Sequence, residues 1–405
     1  MKKEKCIASL ELGSGKVVSG VGKKKDSKIE VLGVAEYYTK GLEKGNIKSI
    51  DETVEAIRSC VEEVEVQSGQ RIGSLYLGIK GEDIETHNRS VSISISRSDK
   101  EISEEDKRHV LDSVRHQMRL EDNREIIEII PVSYSVDKQS GVLDPLGMQG
   151  SHLGVNAHVV TASTSALNNI YKCVNNAGFK ISGVTYSQLP IGQVAVMPEE
   201  RELGVILVDI GGQVTDISVF KNGGIFFSAQ IPIGGDFISK DIAYGMRTSL
   251  SRARELKEKH GNISLVFQED DKEISYLALD GMTQRKTTMY ALTEIINARV
   301  EEIFKLIKGE IISNGFEKGI PSGVVLTGGT VKLTGITEMA ENVLKMPVRL
   351  GPSQSLDGDG EIICDLSYST VLGLMVYSNF KNTIKKRGNS ENFFSKLQRR
   401  LEGIF

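Results

Sequence analysis

Apolar and polar positions follow two rhythms along this chain. ASLELGSGKVVSGV (8–21) reads as an apolar strand, a carboxylate-x-glycine turn and a second strand. GVILVDIGGQVTDISVF (204–220) repeats that plan, and GVVLTGGTVKLTGI (323–336) gives a strand, a glycine pair and the start of a helix. Between such runs lie helical periods. RKTTMYALTEIINARVEEIFKLIKG (285–309) sets Leu292, Ile295, Ile296, Val300, Ile303 and Leu306 on one face and predicts a long helix. Another helix is predicted near 104–118. In IPIGGDFISKDIAYGMRTSLSRARELKEKHG (231–261), Gly234–Gly235 precede a helix with Asp236 as its cap. A second helix there carries Lys257 and stops at Gly261. Strands alternating with helices place the chain in the α/β class.

The pattern at 392–405, NFFSKLQRRLEGIF, is different in kind. On a helix at about 100° per residue, Phe393, Phe394, Leu397, Leu401, Ile404 and Phe405 fall within one third of the circle. Lys396, Arg399 and Arg400 lie outside that third. This is a surface-seeking amphipathic helix, preceded by a polar, basic stretch that reads as a flexible linker.

Composition changes the picture in two ways. The 405 residues suffice for several domains, and 39% hydrophobic with 26% charged residues is ordinary for a globular protein. The net charge of −4 argues against nucleic acid as a partner. Residues 381–405, however, hold seven Lys/Arg against two Glu, so +5 sits there and −9 on the remainder. Cys6, Cys60, Cys173 and Cys364 are scattered, without a CxxC or nearby histidines, and read as reduced core thiols in a cytosolic protein. His109 and His116 read as part of a solvated helix face rather than metal ligands. Glu4 and Glu11 interrupt any signal-peptide pattern, and no apolar run approaches the ~18 residues that span a bilayer.

The chemistry lies in the turns. Glu11 corresponds to Asp209 and Gly13 to Gly211, at a separation of 198 residues, which suggests two related halves facing one another. Glycines let backbone N–H groups approach phosphate oxygens without a Cβ in the way. On this reading Gly13, Ser14, Gly15, Lys16, Gly211, Gly212, Gln213 and Thr215 surround phosphates, with Gly234, Gly235, Lys257, Gly328 and Gly329 completing a nucleotide site. Glu11 and Asp209, at the ends of their strands, would hold Mg²⁺ through waters.

The ordered set of two phosphate turns, a GGD helix and an LTGG turn resembles the actin-like ATPase superfamily. Within it, IPIGGDFISKDIAYGMRT (231–248), GVNAHVVTAS (154–163) and the amphipathic tail resemble the FtsA family of bacterial division proteins. The resemblance implies a two-lobed actin-like (ribonuclease H-like) fold with an FtsA-type inserted subdomain and a C-terminal amphipathic helix. The first-lobe core would occupy 1–83 and 163–202, split by the insert at 84–162. The second-lobe core would occupy 203–235 and 311–352, split by an accessory subdomain at 236–310. The chain would return to the first lobe over 353–380, then form a flexible basic linker at 381–391 and a membrane-targeting helix at 392–405.

The resemblance also implies ATP and Mg²⁺ as cofactors, and self-assembly into filaments on the cytoplasmic side of the cell membrane. The partners would be an anionic membrane surface, the tail peptide of FtsZ and other division proteins. Arg299 matches a basic position of the FtsZ-tail site, with Arg285 and Asn297 as further candidates. Gln188 would orient an attacking water, and Asp209 is the other candidate catalytic residue. Four positions depart from the superfamily pattern: Glu11 replaces Asp, Gln213 and Thr330 each replace a third glycine, and Arg254 stands where a ribose-contacting Glu is common. The extra methylene of Glu11 moves its carboxylate by about 1.5 Å, enough to disturb water-mediated Mg²⁺ geometry, so ATP binding with weak or absent hydrolysis is expected. Two other functions share the fold: a scaffold of another envelope assembly, such as a pilus, and a small-molecule kinase. The kinase would need a general base, and none is assignable.

Overall fold

The computed structural model describes residues 6–26, 28–97, 99–264 and 272–387. Strands β1 (Cys6–Leu12), β2 (Lys16–Lys25) and β3 (Lys28–Tyr38) form an antiparallel meander. A small hairpin, β4 (Leu42–Glu43) and β5 (Asn46–Ile47), leads to α1 (Ile50–Ser68), whose Ser49 hydroxyl accepts the Glu52 amide as an N-cap. Strand β6 (Ser74–Ile79) then pairs parallel to β1.

The insert follows: β7 (Glu85–Ser94), α2 (Glu104–Gln117), β8 (Arg124–Val136), β9 (Gln139–Val142) and β10 (His152–Ser163). Its four strands form a separate sheet in the order β7-β10-β8-β9, with α2 on one face. Ser103 and Asp106 cap α2 reciprocally. His109 and His116 are exposed on that helix. The chain returns through α3 (Thr164–Asn176) to β11 (Lys180–Tyr186), which pairs parallel to β6, and α4 (Gln188–Ala195).

After α5 (Pro198–Leu203) the plan repeats. Strands β12 (Val205–Ile210), β13 (Thr215–Lys221) and β14 (Gly224–Ile231) form the second meander. Next come α6 (Gly235–Met246), α7 (Leu250–His260), the hairpin β15 (Glu273–Leu277) and β16 (Gln284–Thr288), and α8 (Met289–Ser313). Strand β17 (Val324–Thr327) pairs parallel to β12, followed by a 3-10 turn, α9 (Ile336–Leu344) and β18 (Val348–Leu350). All six residues of β12 are buried, which explains its almost continuous apolar run: helices cover both faces of the sheet.

The last elements belong to the first lobe. Strand β19 (Leu356–Asp357) joins β3, α10 (Gly360–Cys364) follows, and α11 (Ser369–Arg387) crosses the first sheet. The sheets therefore run β11-β6-β1-β2-β3-β19 and β14-β13-β12-β17-β18. The lobes share an order of meander, parallel strand and second parallel strand, and each sheet packs apolar residues against helices on both of its faces.

The insert also touches the second lobe. His158 on β10 is buried, with Nδ1 2.7 Å from Asn88 Oδ1 and Nε2 2.8 Å from Ser228 Oγ on β14. Thr86 Oγ1 donates to the Ser228 carbonyl at 2.8 Å. Burial, aided by the His87 imidazole, lowers the His158 pKa to about 4.

Several sequence expectations are corrected here. The long helix starts at Met289, so Arg285 lies exposed on β16, where the hairpin with β15 claims 284–288. Residues 381–387, expected in a flexible linker, continue α11. The remaining linker and the amphipathic helix at 392–405 lie outside the described residues. Cys60 and Cys173 are buried, but Cys364 is exposed and Cys6 half-buried, so not all four are core thiols.

Candidate functional site

The parallel pairing of β1 with β6 and of β12 with β17 brings four strand ends to the cleft between the lobes. Beyond β1 the chain reverses in a tight turn in which Gly13 N–H donates to the Lys16 carbonyl at 2.9 Å. Gly15 in that turn has φ +84°, a backbone state that disfavours a side chain. The second turn repeats the bond, from Gly211 N–H to the Val214 carbonyl at 3.0 Å. The two turns face each other closely: a Cβ on Gly212 would stand 3.5 Å from the Ser14 carbonyl.

The start of α6 packs on the second turn. Gly235 and Asp236 N–H groups donate to the Gly211 and Gly212 carbonyls at 2.9 and 2.6 Å. A Cβ on Gly328 (φ +95°) would lie 2.4 Å from Asp209 Oδ1, so only glycine fits there. The resulting cavity of about 420 Å³ falls within the range of small-ligand sites. Glu11, Gly13 to Lys16, Asp209, Gly211, Gly212, Lys257, Gly328 and Gly329 all line it. Two of its ammonium groups have partners in this structure: Lys16 Nζ lies 2.7 Å from Glu36 Oε2, and Lys257 Nζ donates to the Gly235 carbonyl at 2.9 Å. Burial lowers the Lys257 pKa, against the pull of Asp236.

Lys80 was not expected. It follows β6 directly, and its ammonium contacts Glu11 Oε1 and lies 3.4 Å from Asp209 Oδ2, bridging the carboxylates of the two lobes. Burial alone would lower its pKa, but Asp209 and Glu11 raise it well above the ordinary lysine range. Burial, followed by repulsion from Asp209, raises the Asp216 carboxyl to about 7. The only signal in the sequence was a lysine ending an apolar strand just before Gly81.

Other expected residues are placed differently. Gln188 is fully buried and is not among the residues lining the cavity; neither amide atom has a hydrogen-bond partner among the described residues. Thr215 is also buried, its hydroxyl donating inward to the Ile233 carbonyl at 2.8 Å rather than toward the cavity. Asp236 does not cap α6, whose N-cap is Gly234 without a side-chain bond. Its Oδ2 instead accepts from Gln213 Nε2 and Arg254 Nη2, each at 3.2 Å. Arg254 thus borders the cavity already paired to an acid. Thr330 donates to the Gly211 carbonyl at 2.8 Å and also lines the cavity.

The candidate peptide-binding residues lie away from the cleft. Arg299 on α8 makes a two-pronged bond to Asp241, at 2.5 and 3.0 Å, and also contacts Glu302. Asn297 Nδ2 donates to the Ile263 carbonyl at 3.2 Å.

The sequence matches a family model described as "Cell division protein FtsA" over residues 206–373, and a second, "SHS2 domain inserted in FTSA", over residues 81–161. A Cell division protein FtsA from Pseudomonas aeruginosa is 36% identical over 374 residues, covering 92% of this chain and 89% of its own. One from Bacillus subtilis is 32% identical, covering 93% and 84%. Among solved structures, a PilM–PilN type IV pilus biogenesis complex superposes with a TM-score of 0.68 at 14% identity, covering 92% of this chain and 98% of that one. ADP-bound MreB5 of Spiroplasma citri gives 0.54 at 13%, covering 95% and 98%. These two show an actin-like fold.

Proposed function

The chain belongs to the FtsA family of cell division proteins, and on that premise we propose that it binds ATP–Mg²⁺ between its lobes. Bound nucleotide closes the cleft and favours a filament at the inner face of the cytoplasmic membrane, where the protein is peripheral, sits at the division site and tethers FtsZ filaments. The observation that carries the nucleotide reading is the opposition of the two glycine turns, Gly212 against Ser14. Lys16 and Lys257 supply positive charge beside them. Each can exchange its present partner for a phosphate oxygen, a stronger acceptor.

The acceptor oxygens of Glu11 and Asp209 suit Mg²⁺ held through its own waters, and no trio of ligating side chains gathers among the described residues. Mg²⁺ bound there would offset phosphate charge. Lys80 holds the same two carboxylates together across the cleft. The burial of Gln188 favours slow hydrolysis or none. For the FtsZ tail, α8 offers Arg299, which an acidic peptide would take over from Asp241 and Glu302.

The tail helix at 392–405 is the proposed anchor. One such helix binds weakly, because ordering it offsets part of the insertion energy, so linked copies in a filament bind far more tightly. The PilM–PilN likeness is at the level of fold and does not favour a pilus role over this one. The test is sedimentation with anionic vesicles, with and without ATP–Mg²⁺, for the 405-residue chain and one stopped at Ser390. Pelleting of the longer chain alone, enhanced by ATP, is expected. Equal behaviour of the two would overturn the anchor, and indifference to nucleotide would overturn the linkage between cleft and filament.

A further inference from the structure

Helix α11 begins at the cleft and ends at the opposite pole of the first lobe. Ser369 Oγ lies 2.7 Å from Thr327 Oγ1 in the second lobe, beside the nucleotide cavity. Two residues on, the Val371 carbonyl accepts from Ser9 Oγ at 2.9 Å. Met375 then packs over Gly20 and Gly22 of β2, where an added Cβ would stand 2.6 and 3.0 Å from its Cε and Sδ. Ser9 pairs with Gly20, and Ile7 with Gly22, so each step moves toward the start of β1. The helix continues to Arg387, and residues 388–405, with the amphipathic segment, follow from that pole.

The same pole carries a lysine cluster. The β2–β3 hairpin ends in GKKKDSK (22–28), with Lys24, Lys25 and Lys28 exposed. Lys25 pairs with Glu30 at 3.0 Å and Lys28 with Asp357 at 3.2 Å, while Lys24 has no ion pair among the described residues. The strands β6 and β11 begin here too, bringing Arg71 and Lys180, both exposed, to the same end. Exposed ion pairs contribute little, so these lysines are free to exchange a carboxylate for a stronger field.

We infer that this pole of the first lobe, centred on Lys24, Lys25 and Lys28, is a second contact with an anionic lipid surface. The inference rests on the proposed reading of the tail as a membrane anchor. The tail brings this face to the bilayer, and the hairpin lysines meet lipid headgroup phosphates. Two separated contacts fix orientation where a single hinged anchor leaves the body free to swing. The nucleotide cleft, at the other end of α11, then points away from the membrane. Lipid rather than nucleic acid is the fitting polyanion, because the chain as a whole is acidic and its basic charge gathers where the apolar tail departs.

The test uses the 405-residue chain carrying Lys24→Glu, Lys25→Glu and Lys28→Glu, with vesicles of phosphatidylcholine alone or mixed with phosphatidylglycerol. Each lysine near an anionic leaflet contributes about fivefold to binding. The triple variant should bind mixed vesicles at least about tenfold more weakly, with a shallower salt dependence and unchanged binding to phosphatidylcholine. The neutral Lys→Gln set should show a smaller loss in the same direction, and it keeps the test open if charge reversal impairs folding. Unchanged affinity and salt dependence in both sets, while the unaltered chain binds, would overturn this inference alone. Equal binding by the chain stopped at Ser390 would instead overturn the anchor reading on which it rests.

Discussion

The Lys44 backbone N–H in the first lobe donates to Gln213 Oε1 in the second at 2.9 Å, while Gln213 Nε2 holds Asp236. A glutamine in place of the third glycine of a phosphate turn therefore acts as a strap across the cleft.

Replacing that strap with the superfamily's glycine, Gln213→Gly, should loosen closure. Loss of one neutral hydrogen bond costs about 0.5–1.5 kcal/mol, equivalent to roughly two- to tenfold faster nucleotide release. Stopped-flow displacement of a fluorescent ATP analogue would read this directly. A release rate equal to that of the unaltered chain would show that the strap carries no load.

Lys80→Met should have a larger effect. Removing the ammonium leaves Glu11 and Asp209, both buried, facing each other without a cation. Breaking a buried pair in this way costs about 3–5 kcal/mol. Urea unfolding should show that loss in metal-free buffer. Added Mg²⁺ should restore more stability to the variant than to the parent, because it supplies the missing positive charge.

Gly235→Ala should place a methyl 2.2 Å from Thr330 Oγ1. The expected destabilisation is about 1–3 kcal/mol from overpacking. Thr330→Gly, which brings back the third glycine of the LTGG turn, should relieve most of it in the double variant. A double-mutant cycle of unfolding free energies would reveal the coupling, and simple additivity would count against the packing described.

The His158 imidazole makes stability fall with acid. The unfolded chain takes up a proton near pH 6.5, but the folded state refuses it down to about 4. Stability contributed by the neutral ring is complete above pH 6.5 and is lost as pH falls from 6.5 to 4, by about 3 kcal/mol in all. His158→Gln should flatten the stability profile over that window, measured by denaturant unfolding at stepped pH.

What the sequence made legible was local. The turns after Glu11 and Asp209 and the meanders around them are set by contiguous residues, and their 198-residue repeat marks both lobes. Lys80 escaped notice because its meaning depends on β6 lying parallel to β1, with Glu11 opposite Gly78, a pairing no short window contains. Arg285 was drawn into the long helix because nothing in RKTT breaks a helical period, although its strand partner Tyr276 lies only nine residues back across the hairpin. The Thr215 hydroxyl sits beside the turn in sequence, but strand alternation directs it to Ile233. Gln188 stands next to a strand end and is nonetheless sealed by packing that only the assembled lobes provide.

The insert enters between β6, which Lys80 directly follows, and β11, which leads to Gln188, yet its His158 leans on Ser228 of the opposite lobe. It is a bracket bolted to one jaw of a vice and resting on the other. When the jaws part, either the His158–Ser228 contact shears or the bracket tilts with them. A force applied to the insert from outside therefore acts on the same lobe-to-lobe contact.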